Sequence, residues 1–96
     1  MITVSLKQYA PIISDDEVGQ KILSDIKGAL NNDSVVIDME GIVSMATYCA
    51  KQIFGNLYVT LGASVFFDKI RIANASDDLK VIIRMGIAAT INNKGS

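Results

Sequence analysis

Several hydrophobic rhythms follow one another along the chain. Residues 2–6 (ITVSL) alternate apolar and polar, the period of a half-buried strand. Pro11 breaks the pattern, and Ile12 and Ile13 beyond it predict a short second strand or an edge, because proline has no amide hydrogen for a central ladder. Val18, Ile22, Ile26 and Leu30 then recur at helical spacing. The helix they predict opens on Ser14 and Glu17 as a capping box, carries Asp15 and Asp16 at its positive end, and stops at the turn residues Asn31, Asn32 and Asp33. Val35, Val36 and Ile37 are apolar without a break, as in a strand covered on both faces, and the run ends at Asp38.

Residues 39–46 read as a polar loop too short for another element. A helix follows over 47–61, with Ala50, Ile53, Phe54, Leu57 and Leu61 on its inward side and Gly62 as its stop. Gly55 in its middle costs about 1 kcal/mol of helix stability, so its presence predicts a close approach to the sheet. Residues 63–68 add a helical turn carrying Phe66 and Phe67, and KIRIANA (69–75) alternates as a strand. Ser76 caps a last helix to about residue 92, with Asp77 and Asp78 in its first turn and 93–96 as a frayed tail. The order is β, short β, α, β, α, β, α. It predicts a single α/β domain over 1–96, a sandwich with a small mixed β-sheet of about four strands and helices packed on it. The strands at 34–38 and 69–74 should be parallel across a right-handed crossover.

Composition removes function classes. Nine basic residues stand against ten acidic ones, with no basic stripe, so no nucleic-acid partner is expected. No apolar run approaches the roughly 20 residues that span a bilayer, and the first residues lack a signal-peptide core. A single Cys allows no internal disulfide, which makes a cytoplasmic location the default. The chain has no His, which removes the commonest general base and most zinc sites. Gly41, Gly55 and Gly62 are too far apart to cradle a phosphate. A non-enzyme without metal or cofactor is expected. The pairs Asp15–Asp16 and Asp77–Asp78 lie in first turns of helices, where dipole complementation accounts for them.

The stretch VVIDMEGIVSMAT resembles the strand–loop–helix at the centre of STAS domains, the anti-anti-sigma factor fold of bacteria. In that family an Asp-Ser pair opens the helix and the Ser is phosphorylated; counted from Asp38, those positions fall on Ala46 and Thr47. The chain is more similar still to a STAS-like family of bacterial proteins of unknown function. Asp38, Glu40, Gly41, Ile42, Thr47, Ala50, Phe54, Gly55 and Leu57 stand in register with its central pattern, and Gly19 takes its characteristic glycine position. Lys51 and Gln52 replace the Asn-Glu pair usual in the following turn. The resemblance implies a STAS-like sandwich, a regulatory protein-binding role, and as partner an ATP-binding switch kinase of the anti-sigma type.

Thr47 has two readings: a helix N-cap, and a phosphoacceptor whose phosphate would meet free amides at a helix mouth. The candidate docking surface comprises the loop 39–46 with Ser44, the strand end Asp38, and Thr47, Tyr48 and Lys51 at the helix start. Asp38 is read as a hydrogen-bonded turn residue, or as one that orients Thr47 or binds a cation. Cys49, in the same first turn, is read as a core-packing residue, with a stabilised thiolate as the alternative. An enzyme or small-ligand binder using Asp38, Thr47 and Cys49 lacks a base. In the last helix, Leu79, Ile82, Ile83, Gly86 and Ile87 form the face that packs on the sheet, while Val81, Met85 and Ala88 form a second stripe. That stripe predicts either a homodimer or partner interface, or a helix wedged in a groove.

Overall fold

Alternation along the strands decides the architecture of the computed structural model, which describes residues 1–95, with side chains as far as Ile91. β1 (Ile2–Ser5), β3 (Val35–Asp38) and β5 (Ile70–Ala73) form a sheet in the order β1-β3-β5, while β2 (Ile12–Ile13) pairs with β4 (Ser44–Met45). The α/β sandwich is present. Its pairings among the described residues are all parallel and fall into two sets, where one mixed sheet of about four strands was expected. Parallel neighbours need a crossover, and α1 (Asp16–Leu30) supplies the one between β1 and β3.

Register puts Ile2, Val35 and Ile70 in one row and Val4, Ile37 and Ile72 in another, on the face that packs against the helices. Thr3, Val36 and Arg71, then Ser5, Asp38 and Ala73, take the opposite face, where Thr3, Ser5 and Arg71 are exposed. Cover on both faces of β3 was therefore the wrong inference from its apolar run. Val36 is half-buried on the open side, and period-two alternation is the governing pattern.

The cap of the first helix stands one residue later than expected. Asp15 is the N-cap, its carboxylate accepting the Glu17 amide at 2.8 Å, because Ser14 is held outside the helix with its carbonyl bound by the Tyr48 hydroxyl. Gly19, Ile22, Leu23 and Ile26 are buried. The expected helix over 47–61 is unbroken but has a wide turn at its centre: α2 (Thr47–Ala50) passes into a π-helical segment (Lys51–Gly55) and then α3 (Asn56–Leu61). Gly62, at φ +84°, ends it in the backbone region that favours glycine. Residues 63–68, expected to add a turn, belong to a full helix, α4 (Ala63–Lys69). β5 stops at Ala73, two residues short of the expected strand, because Asn74 turns left-handed at φ +58°. Ser76 does cap α5 (Asp77–Gly95), its hydroxyl accepting the Leu79 amide at 3.2 Å. The α5 backbone takes in 93–95 of the expected tail, and Ser96 lies outside the described residues.

The helices pack backbone to backbone where α5 crosses the π segment. A Cβ on Gly86 would stand 2.6 Å from the Ala50 carbonyl carbon and 2.7 Å from the Lys51 nitrogen. One on Gly55 would meet the Thr90 hydroxyl and, at 3.1 Å, the Gly86 carbonyl oxygen. Gly55 thus permits a close approach, as expected, but to the last helix and not to the sheet. Gly86→Ala should destabilise by about 1–3 kcal/mol, since backbone atoms block the new methyl and outweigh the gain in helix propensity. Gly28→Ala, which meets nothing within 4 Å in α1, should stabilise by about 0.5–1 kcal/mol. Urea unfolding followed by circular dichroism reads both, and the opposite signs test the crossing.

Candidate functional site

The corner between β3 and α2 is built by a tight turn and a two-residue strand. The Met39 amide continues the β3–β5 ladder to the Ala73 carbonyl at 2.9 Å. The Ile42 amide then closes on the Met39 carbonyl at 3.0 Å, around Gly41 at φ +87°, the third turn position, where glycine is favoured. Val43 donates its amide to the Pro11 carbonyl at 2.7 Å, and Ala46 to the Ile13 carbonyl at 2.8 Å. The loop is therefore neither polar nor without an element. Met39, Ile42 and Met45 are buried and pin it to the core, and β4 lies within it.

Pairing of β2 with β4 sorts the side chains at this corner. Ile13 and Met45 are partners and both point inward, while their neighbours Ile12 and Ser44 are partners on the other side. Ile12 is 56% exposed, Val43 68% and Tyr48 53%. Ser44 is half-buried and Thr47 exposed. Thr47 is the first helical residue and not the cap. Ala46 caps α2 with no side-chain bond, its carbonyl accepting the amides of Cys49 at 3.0 Å and Ala50 at 3.1 Å. The threonine hydroxyl is thus not used in capping. Tyr48 donates its hydroxyl to the Ser14 carbonyl and ties the start of α2 to that of α1. Lys51, half-buried, opens the π segment and with Tyr48, Gln52 and Asn56 borders a shallow groove of about 330 Å³ against Gln20 and Leu23 of α1.

Asp38 is a fastener. Its carboxylate accepts the Glu40 amide at 3.0 Å and the Asn74 side-chain amide at 2.8 Å, joining the ends of β3 and β5. These bonds, Asn74 first, lower its pKa from the ordinary 3.8. Neither goes to Thr47. Cys49 is fully buried, its sulfur 3.7 Å from the Asp15 carbonyl oxygen. Desolvation pushes the thiol pKa above its usual value, and the nearby Asp16 and Asp15 charges push it further. A core-packing residue, not a nucleophile, is what these contacts make of it. Among the described residues no three His, Cys, Asp or Glu side chains gather as metal ligands, and no helix is long and apolar enough to cross a membrane.

Val81, Met85 and Ala88 lie on another element, the outer side of α5, with Val81 49% and Met85 51% exposed. Sequence reasoning placed Val43 in the loop 39–46 with Ser44, next to Thr47 and Tyr48, but did not include in this corner Ile12, which pairs with Ser44, or Asn74, which binds Asp38. A strand alternation across Ile12 and Ile13, one in and one out, was the available signal for the first.

A family model described as a STAS-like domain of unknown function matches residues 18–80. That span runs from α1 through β3, the corner and β5 to the first turn of α5. Neither the curated proteins nor the solved structures yield a match.

Two measurements follow from these side chains. The Asp38 carboxylate has a depressed pKa in the folded chain, so its stabilisation is present above pH 3.8 and is lost as the pH falls through the folded value. Asp38→Ala should therefore lower Tm at pH 6 and converge on the parent chain as the solution is acidified to about pH 2. Cys49 should resist a thiol reagent at pH 8 in the native chain and react at once in urea; rapid native labelling would contradict the packing.

Proposed function

The chain belongs to the STAS-like domain family of unknown function, and from that premise we propose that it is a non-enzymatic regulatory module that binds another protein through the β2–β4–α2 corner. The observation that supports this reading is the exposure of the apolar side chains Ile12, Val43 and Tyr48 on β2, on the residue before β4 and on the first turn of α2, the turn that also exposes Thr47. Single exposed apolar residues are ordinary. These three differ in being held by backbone pairing to Pro11 and Ile13 and by the Tyr48–Ser14 bond, so docking would cost little ordering entropy.

Phosphorylation of Thr47 would supply the switch. A phosphoryl group adds about −1.5 to −2 charges at pH 7. Ile12, Val43, Ser44 and Tyr48 carry no formal charge at neutral pH; the amide end of α2 and Lys51, one turn on, would offset part of the phosphate charge, and a docked apolar partner would have to desolvate the remainder. On the family likeness, the proposed partner is an ATP-binding kinase of the anti-sigma type.

A second reading rests on Val81 and Met85: an apolar stripe half-exposed on α5 is suited to a symmetric dimer. Pull-down from the source cell with tagged chains, followed by an affinity measurement on the captured partner, separates the two. Val43→Asp and Thr47→Asp should each weaken capture at least about tenfold, the scale of one lost apolar contact or one buried charge, while Met85→Glu leaves it unchanged. Undiminished binding by Thr47→Asp sinks the switch, and undiminished binding by Val43→Asp sinks the corner. Light scattering on wild type and Met85→Glu tests the dimer, and a monomer in both removes it.

A further inference from the structure

Behind α5 the chain leaves a second apolar surface that the corner does not use. Tyr58 of α3, Phe66 and Phe67 of α4, Ile72 of β5, and Ile83 and Ile87 of α5 line an open groove of about 530 Å³. In its aromatic wall Phe67 stands edge to face with Phe66 at 5.4 Å and with Tyr58 at 6.2 Å between ring centroids, while Tyr58 and Phe66 are tilted at 5.5 Å. Phe67 is nevertheless 69% exposed, and Ile91 at the far end 45%.

Three features bear on what fits there. The groove follows α5 from Lys80 to Ile91, which at about 1.5 Å per residue is a length of roughly 16 Å, three turns of a second helix. Its exposed walls leave one side of any occupant in water. A small molecule bound well is enclosed over most of its surface, whereas an amphipathic helix needs cover on one face only. The third feature is charge. Lys80 and Arg84, one turn apart and both exposed, line the same groove. The one ion pair among the described residues joins the Met1 amino group to Asp33, so among these residues neither cation makes an ion pair. With an overall formal charge of −1, this local pair of cations is not a by-product of a basic composition.

We propose that this groove is a docking site for an amphipathic α-helix of a partner protein, with apolar residues at i, i+3, i+4 and i+7 and carboxylates one turn apart along the flank that meets Lys80 and Arg84. The apolar face covers Phe67 and Ile87, and the carboxylates set the orientation and exclude helices with basic flanks. The site is separate from the proposed corner and does not depend on it.

The probe is a fluorescein-labelled helical peptide of about 14 residues, with leucines at those apolar positions and two flanking glutamates, together with a twin carrying lysines at the flank. Binding to the full chain is read by anisotropy. The glutamate peptide should saturate and bind at least about tenfold more tightly than its twin at low salt, with the gap closing as salt screens the flank. Phe67→Ala, an exposed change, should weaken it about fivefold or more, in line with loss of an aromatic anchor. Lys80→Glu with Arg84→Glu should invert the preference, while Val43→Asp should change nothing. Absence of saturable binding, equal affinity for the two peptides, or an uninverted preference in the charge-reversed chain would each overturn the proposal. So would self-association abolished by Phe67→Ala, which gives the groove to a second copy, or displacement of the peptide by dodecanoate at micromolar concentration, which gives it to an acyl chain.

Discussion

Much of this structure depends on one contact, the approach of Gly86 in α5 to Ala50 and Lys51, where α2 passes into the π segment. With no side chain on Gly86, the two backbones meet at a distance that would put a Cβ 2.6 Å from the Ala50 carbonyl carbon. Gly55 and Thr90 repeat the arrangement one turn further on. A helix interior tolerates glycine only at a cost of about 1 kcal/mol each, and here that cost is offset by packing two helices almost in contact. The wide turn at residues 51–55 lies at this crossing, so Cys49, Ala50, Ile53, Phe54 and Leu57 can all be buried from one continuous helix.

Because that helix is clamped in its middle, both of its ends have defined surroundings. At the N-terminal end it carries Thr47 and Tyr48 to the β2–β4 corner, where the Ser14 carbonyl fixes the phenol. At the C-terminal end it carries Tyr58 against Phe66 and Phe67 and forms one wall of the groove along α5. The proposed corner and the proposed groove thus stand on the same element. Nearby, Cys49 is desolvated in the core, and one carboxylate oxygen of Asp38 accepts from both the Glu40 amide and the Asn74 side chain.

The sheet was legible from alternation at β1 and β5, and the apolar stripe of α1 told which side faces inward. Ile22 and Ile26 are buried as their spacing required, and Ser76 caps α5 as its position before Asp77 and Asp78 implied. The candidate corner was legible in part. Its residues adjoin in sequence, and the Asp38–Thr47 interval marked a strand-to-helix junction. What failed were inferences from single residue types. Ser14 lost the cap to Asp15 because Tyr48, 34 residues away, holds the Ser14 carbonyl. Thr47 looked like a cap because hydroxyl residues favour that position, yet Ala46 takes it, its extended backbone being set by the amide bond to Ile13.

The sequence by itself determined the class of fold, the order of its main elements and the buried stripes of α1, of the helix over 47–61 and of α5, since these follow from apolar spacing within a local window. It also determined that no imidazole is available for chemistry. Tertiary structure alone decided that the strands split into two parallel sets, that one face of β3 stays open, that Gly55 meets a helix and not the sheet, and that Ile12 and Val43 are exposed. The physical reason is one of range. Periodicity and capping act over three or four residues, whereas pairing partners and backbone approaches join residues 30 or more apart, such as Ile12 with Ser44 and Gly86 with Ala50, and leave no trace in spacing.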